Sequence, residues 1–138
     1  MAIERLDEVG EERLEELLAL YQAAWWARDR HPEDVRRMLR HTDVKLGLVE
    51  RETGRLVAFC RVLTDYVYKA FLFDVIVAPE QQGTGLGRAL VDAVLEHPDL
   101  GGVQMVELYC NEEMVPFYER WGFTQELGGT RLMRRRNG

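Results

Sequence analysis

The sequence predicts an α/β fold in one domain, with a mixed central sheet flanked by helices. Two changes of period and one junction predict it. Apolar residues recur at three- and four-residue steps near the start of the chain, then switch to β-type runs over residues 45–77. The last of these runs, residues 70–77, is apolar except for Asp74, as in a strand covered on both faces. It passes through Ala78-Pro79 and a glycine-rich segment into a second helical pattern, and that strand–loop–helix junction marks an α/β protein. A length of 138 residues suits a single domain over residues 1–138, with no repeat or long linker to divide it.

Taken in order, residues 11–28 read as the first helix, with Leu14, Leu17, Leu18, Tyr21 and Trp25 on its apolar face. Pro32 ends that run or starts the next, and residues 33–40 form a short helix burying Val35, Met38 and Leu39. Residues 45–49 and 55–63 are strands joined by the turn Arg51-Glu52-Thr53-Gly54. Residues 70–77 follow as the third strand. The helix over 87–96 buries Leu90, Val91, Val94 and Leu95 and stops at His97-Pro98. Residues 103–110 make the next strand, and residues 114–121 a helix closed by Gly122. Residues 123–127 and 131–134 are expected to close the sheet as an antiparallel pair around Gly128-Gly129.

Composition narrows the function. A formal charge of −6 argues against nucleic-acid partners, which need Lys and Arg to neutralise phosphates. No apolar run approaches the ~20 residues of a membrane helix, and no signal-peptide pattern opens the chain, so a cytoplasmic protein without membrane partners is expected. The basic residues Arg131, Arg134, Arg135 and Arg136 read as a frayed, solubilising tail. Cys60 and Cys110 are expected as buried thiols, and His31, His41 and His97 show no ligand spacing, so no metal is expected.

The junction itself carries the chemistry. Gln82-Gly83-Thr84-Gly85-Leu86-Gly87-Arg88 can bend tightly and leave backbone N–H groups facing an anion at a helix N-terminus. It lacks the Gly-Lys-Ser/Thr ending of a Walker A loop, and its glycine spacing differs from Gly-x-Gly-x-x-Gly. The segment Gln82 to Gly87 instead resembles the acyl-CoA loop Gln/Arg-x-x-Gly-x-Gly/Ala of the GCN5-related N-acetyltransferase (GNAT) family. Asn111, followed by Phe117-Tyr118-Glu119-Arg120-Trp121-Gly122-Phe123, is similar to that family's second signature, and the two lie in the expected order.

The resemblance implies a fold in which two parallel strands splay apart, here residues 71–77 and 103–110, with acetyl-CoA between them. Backbone at Val75 and Val77 would bond the pantetheine arm, and the N–H near Ile76 would steady a developing oxyanion. Gln82, Gly83, Thr84, Gly85, Leu86, Gly87 and Arg88 would wrap the pyrophosphate. Asn111 sits where the family often touches the pantetheine arm; a helix cap or turn explains it almost as well. Tyr118 matches the family tyrosine that protonates the leaving thiolate, against the alternative of an aromatic anchor for its own helix.

The base is open. Asp74 is a carboxylate in an apolar strand, so it either meets a buried partner or faces a cavity with a raised pKa suited to base work. Glu107, one charge among Met105, Val106, Leu108 and Tyr109, repeats the puzzle. Trp26, Arg28 and Arg30 border the acceptor pocket by family analogy, with Trp25 expected in the core; Asp65 and Tyr66 could line the same mouth or be solvated turn residues. Cys110 has no histidine placed to activate it as a nucleophile. The expected reaction is direct attack of a primary amine, preferably a small molecule, on acetyl-CoA in a ternary complex. A protein N-terminus or lysine as acceptor, or a CoA-binding sensor without turnover, are the alternatives. A homodimer is left open by the sequence.

Overall fold

The computed structural model describes residues 2–138, which form two compact units, one ending at Leu108 and the other spanning Tyr109–Gly138. In the first unit a five-stranded sheet runs in the order β1 (Ile3–Leu6), β2 (Val44–Glu50), β3 (Arg55–Thr64), β4 (Lys69–Val77) and β5 (Met105–Glu107). The first four strands are antiparallel neighbours, and β4 and β5 are parallel, which makes the sheet mixed as expected. Three helices pack with it: α1 (Leu14–Gln22), α2 (Pro32–Arg40) and α3 (Leu86–Glu96).

Burial follows the sequence pattern. β2 and β3 are buried along nearly their whole length, as strands covered on both faces must be. Leu17 and Tyr21 of α1, Val35 and Leu39 of α2, and Leu90 and Val94 of α3 join Leu46, Val57, Phe59 and Val62 in one core. Pro32 sits in the first turn of α2, where its missing N–H costs nothing, and His31 caps the helix by accepting from Glu33 N–H at 3.2 Å.

Four expectations need correction here. The strand β1 was not foreseen; it is short and half exposed, and its pairing with β2 rather than its own residues defines it. The first helix stops at Gln22 instead of residue 28, so Trp25 lies in the following turns and is 71% exposed rather than in the core. Leu95 is exposed on α3. The strand expected over 103–110 pairs only at residues 105–107.

A kink is built into β4. Phe59 of β3 pairs with Ile76, but Arg61 pairs with Phe73, so Asp74 and Val75 together face Cys60. This is a β-bulge, an extra residue that kinks and twists one strand. Asp74 takes the left-handed φ of 57° that a non-glycine residue adopts only at a cost. Pairing of β4 with β5 ends at Phe71 and Glu107.

The second unit holds a short helix, α4 (Val115–Glu119), closed by Gly122 at a φ of 87°. Tyr118 is buried, with Phe117, Trp121 and Phe123 around its ring at centroid separations of 5.0, 6.5 and 6.1 Å. The closing strand pair does not form. Gly128 and Gly129 make a turn, with Thr130 N–H bonding to Leu127, but residues 123–127 and 131–134 form no strand. A two-stranded ribbon without an apolar face is marginal, and the arginines after Gly129 supply none.

Candidate active site

β4 leads through the short turn Pro79–Gln81 into the glycine-rich turn. Gly83 and Gly85 have φ of 83° and 88°, values that L side chains rarely adopt, and a Cβ at either would meet nothing within 4 Å. Gly85 is the N-cap of α3, and the first bond of the helix runs from Ala89 N–H to Gly85 O at 3.1 Å. The N–H groups of Leu86, Gly87 and Arg88 therefore lack an intrahelical acceptor. No acidic residue occupies that first turn. Open space, free N–H groups and the positive end of the helix dipole make this turn fit for a phosphate. Thr84 serves the turn itself, its hydroxyl donating to Gln81 O, and the Gln82 amide reaches Val77 O at 3.4 Å.

Beside the end of β4 lies a groove of about 210 Å³, lined by Leu20, Ala23, Ala24, Trp25, Trp26, Ile76, Val77 and Gln82. It brings together Trp26, Ile76, Val77 and Gln82 from the expected site residues. Arg28 is exposed in the turn after Ala27 and does not line it. Asp65 and Tyr66 also fall elsewhere, in the β3–β4 hairpin at the opposite end of β4 from the glycine turn. The Asp65 carboxylate accepts from the N–H groups of Val67, Tyr68 and Lys69 at 2.9, 2.7 and 3.1 Å. Those bonds hold its pKa below the usual range despite full exposure, so Asp65 is a turn former.

Asp74 meets a buried partner; in fact it meets three. Tyr21 donates its hydroxyl at 2.9 Å, Arg30 donates from both terminal nitrogens at 2.7 and 3.2 Å, and Arg61 donates from Nε at 2.7 Å. Burial pushes the carboxyl pKa up, but the Arg30 hydrogen bond and the charge and hydrogen bond of Arg61 outweigh it, leaving a net lowering. The raised pKa expected of a base is not found: the carboxyl pKa is lowered and its oxygens accept four hydrogen bonds, three of them at Oδ2. Tyr21 is driven the other way, first by burial and then by the Asp74 charge, and stays a neutral donor.

Glu107 is half-buried and accepts from Lys69 Nζ at 2.8 Å across the parallel strands. Asn111 precedes the turn Glu112–Met114 but makes no side-chain cap there, which removes the capping explanation. Cys60 is buried, whereas Cys110 is exposed, contrary to expectation. Tyr21 and Arg61 were not foreseen as site residues. Arg61 carried a signal, being the one charge within the apolar run from Leu56 to Leu63 on the strand next to Asp74.

Strand, glycine turn and helix N-terminus together form an anion-ready junction of an α/β fold. The acetyltransferase (GNAT) family model matches residues 11–123, and the chain belongs to that family. A putative GNAT acetyltransferase from Xanthomonas campestris superposes with a TM-score of 0.82 at 34% identity, covering 99% of this chain and 94% of that one. Among curated proteins, GCN5-related N-acetyltransferase 1, chloroplastic, of Arabidopsis thaliana is 32% identical over 87% of this chain. Serotonin N-acetyltransferase 2, chloroplastic, of Oryza sativa subsp. japonica is 36% identical over 75% of it. The chain spans 60% and 53% of the length of these two relatives. No helix of the described residues is long and apolar enough to cross a membrane.

Proposed function

We propose that this chain moves an acetyl group from acetyl-CoA to the primary amine of a small molecule, by direct attack within a ternary complex. The Gly83/Gly85 turn at the N-terminus of α3, beyond the point where β4 and β5 cease to pair, is the observation that carries this reading. Val75, Ile76 and Val77 would hold the pantetheine arm through their backbone, and Gln82, Gly83, Thr84, Gly85, Leu86, Gly87 and Arg88 the pyrophosphate. Acetyl-CoA supplies the activated thioester. Asn111 is assigned to the pantetheine arm and Tyr118 to protonation of the departing sulfur. The acceptor enters as free amine, having given its proton to water, so neither Asp74 nor Glu107 is needed as base. Proximity of nitrogen to thioester carbon supplies much of the rate.

The groove supports a small acceptor with an aromatic body, since Trp25 and Trp26 border it. The rice relative is named for serotonin, an amine of that kind. The test is thiol release from acetyl-CoA with tryptamine, spermidine, a lysine peptide and a free N-terminal peptide. Release with tryptamine is expected. Release only with the peptides would transfer the assignment to protein acetylation, and CoA binding without any acceptor-dependent release would make the chain a sensor.

A further inference from the structure

Resting on that reading, we propose that Arg30 is a positioning residue that sets the Trp26 wall of the acceptor groove from the Asp74 anchor. Arg30 lies in the connection between α1 and α2, outside any helix or strand. Besides a 3.9 Å contact with Met38 Sδ, its guanidinium makes two sets of contacts that bear on the groove. One is the paired hydrogen bond to Asp74, whose side chain is only 6% exposed. The other is aromatic: the same group lies 4.6 Å from the Tyr21 ring centre and 5.4 Å from that of Trp26. Trp26 in turn meets Tyr21 edge to face at 6.4 Å.

The geometry joins two borders of one groove. Trp26 belongs to a turn that no helix holds, while Ile76 and Val77 belong to the strand that Asp74 kinks. Arg30 touches both the Trp26 ring and the kink, and it is the charged one of the two residues that do so, Tyr21 being the other. The burden is not shared evenly, because Tyr21 and Arg61 bond Asp74 independently of Arg30. Loss of Arg30 therefore leaves the bulge held and leaves the indole only its edge contact with Tyr21. The consequence falls on acceptor affinity and spares the thioester side. Lysine is no substitute: a compact ammonium cannot make the paired hydrogen bond while lying flat over two rings.

The test uses the full chain with Arg30→Met, Arg30→Lys, Trp26→Ala and the double variant Trp26→Ala/Arg30→Met. With tryptamine, Arg30→Met and Arg30→Lys each raise the amine KM by roughly five- to tenfold, the worth of a partly desolvated cation–π contact. The acetyl-CoA KM moves by less than about twofold. In the Trp26→Ala background, Arg30→Met adds little, because its target is already gone. Equal shifts in both KM values, or fully additive losses in the double variant, overturn the proposal. A second readout needs no turnover: the indole ¹⁵N–¹H signal of Trp26, assigned with Trp26→Phe, shifts or broadens in Arg30→Lys. An unmoved signal overturns the proposal even if no amine is ever acetylated. A wild-type chain that binds CoA but acetylates nothing overturns the functional reading instead, and the indole measurement still decides the role of Arg30.

Discussion

Replacing Asp74 by alanine removes the acceptor of four hydrogen bonds and leaves a left-handed residue without the side chain that tolerates it. Breaking a buried ion pair from one side costs about 3–5 kcal/mol. The lower part of that range applies, because the Arg30 side chain is 31% exposed and recovers some hydration, whereas Arg61 at 13% does not. Alanine at positive φ adds roughly 1 kcal/mol, for a total of about 4 kcal/mol against a typical stability of ~5–15 kcal/mol. Asparagine keeps an acceptor and accommodates the left-handed backbone, so Asp74→Asn costs about 2 kcal/mol. Asp74→Gly relieves the backbone but strands both arginines, and falls between them. Urea unfolding with an unchanged slope reads the series directly. Asn and Ala variants of equal stability, or a glycine variant less stable than alanine, would refute the reasoning.

The same carboxylate gives a pH test. Its folded pKa lies below the ordinary 3.8, so in acid the unfolded chain takes up the proton first. Between the folded and unfolded values the unfolded state binds more protons, and stability rises with pH. The Asp74 contribution is complete above the ordinary value and is lost as pH falls from there through the folded one. Asp74→Asn should flatten that acid limb while leaving the neutral range parallel to wild type.

Gly85→Val places a β-branched residue at a φ of 88° in the phosphate turn, and CoA affinity measured by calorimetry should fall by roughly tenfold or more. Unchanged affinity would contradict the assignment of the loop. Tyr118→Phe should cut turnover by about a hundredfold with CoA affinity within about twofold; full turnover would return Tyr118 to a packing role among Phe117, Trp121 and Phe123. Cys60 is buried, which with the nearby Asp74 charge pushes its thiol up to about 12, while Cys110 is exposed. A disulfide reagent should therefore titrate one thiol in the native chain and the second only in urea, and two equally fast native thiols would disprove that burial pattern.

Much of the scaffold was legible because it obeys local rules. β2, β3, β4, α2 and α3 fall where period, turn residues and prolines place them, and the Gly83/Gly85 turn has the positive φ that its glycines announce. The misreadings share a cause. Trp25 continues the spacing of Leu14, Leu17 and Tyr21, but a helix ends where tertiary contacts end, and the chain turns at Ala23. β1 exists only through its register with β2, and the tail has strand-like residues with nothing to pair against.

Asp74 shows how far sequence reasoning reaches. A lone acid in an apolar strand demands a partner or a function, and both readings are sound until the partners are known. Those partners come from 53, 44 and 13 positions away, on a helix, an irregular connection and a neighbouring strand. Only the strand partner was within reach, since two opposite charges isolated in adjacent apolar strands have nowhere else to go. What the sequence could not contain is the consequence of pairing them off-register. Asp74 faces Cys60 together with Val75, and the extra residue is a bulge in the pairing of β4 with β3. The acid read as a candidate for proton transfer anchors that bulge, and a residue in that role is tested through stability and register before it is tested through rate.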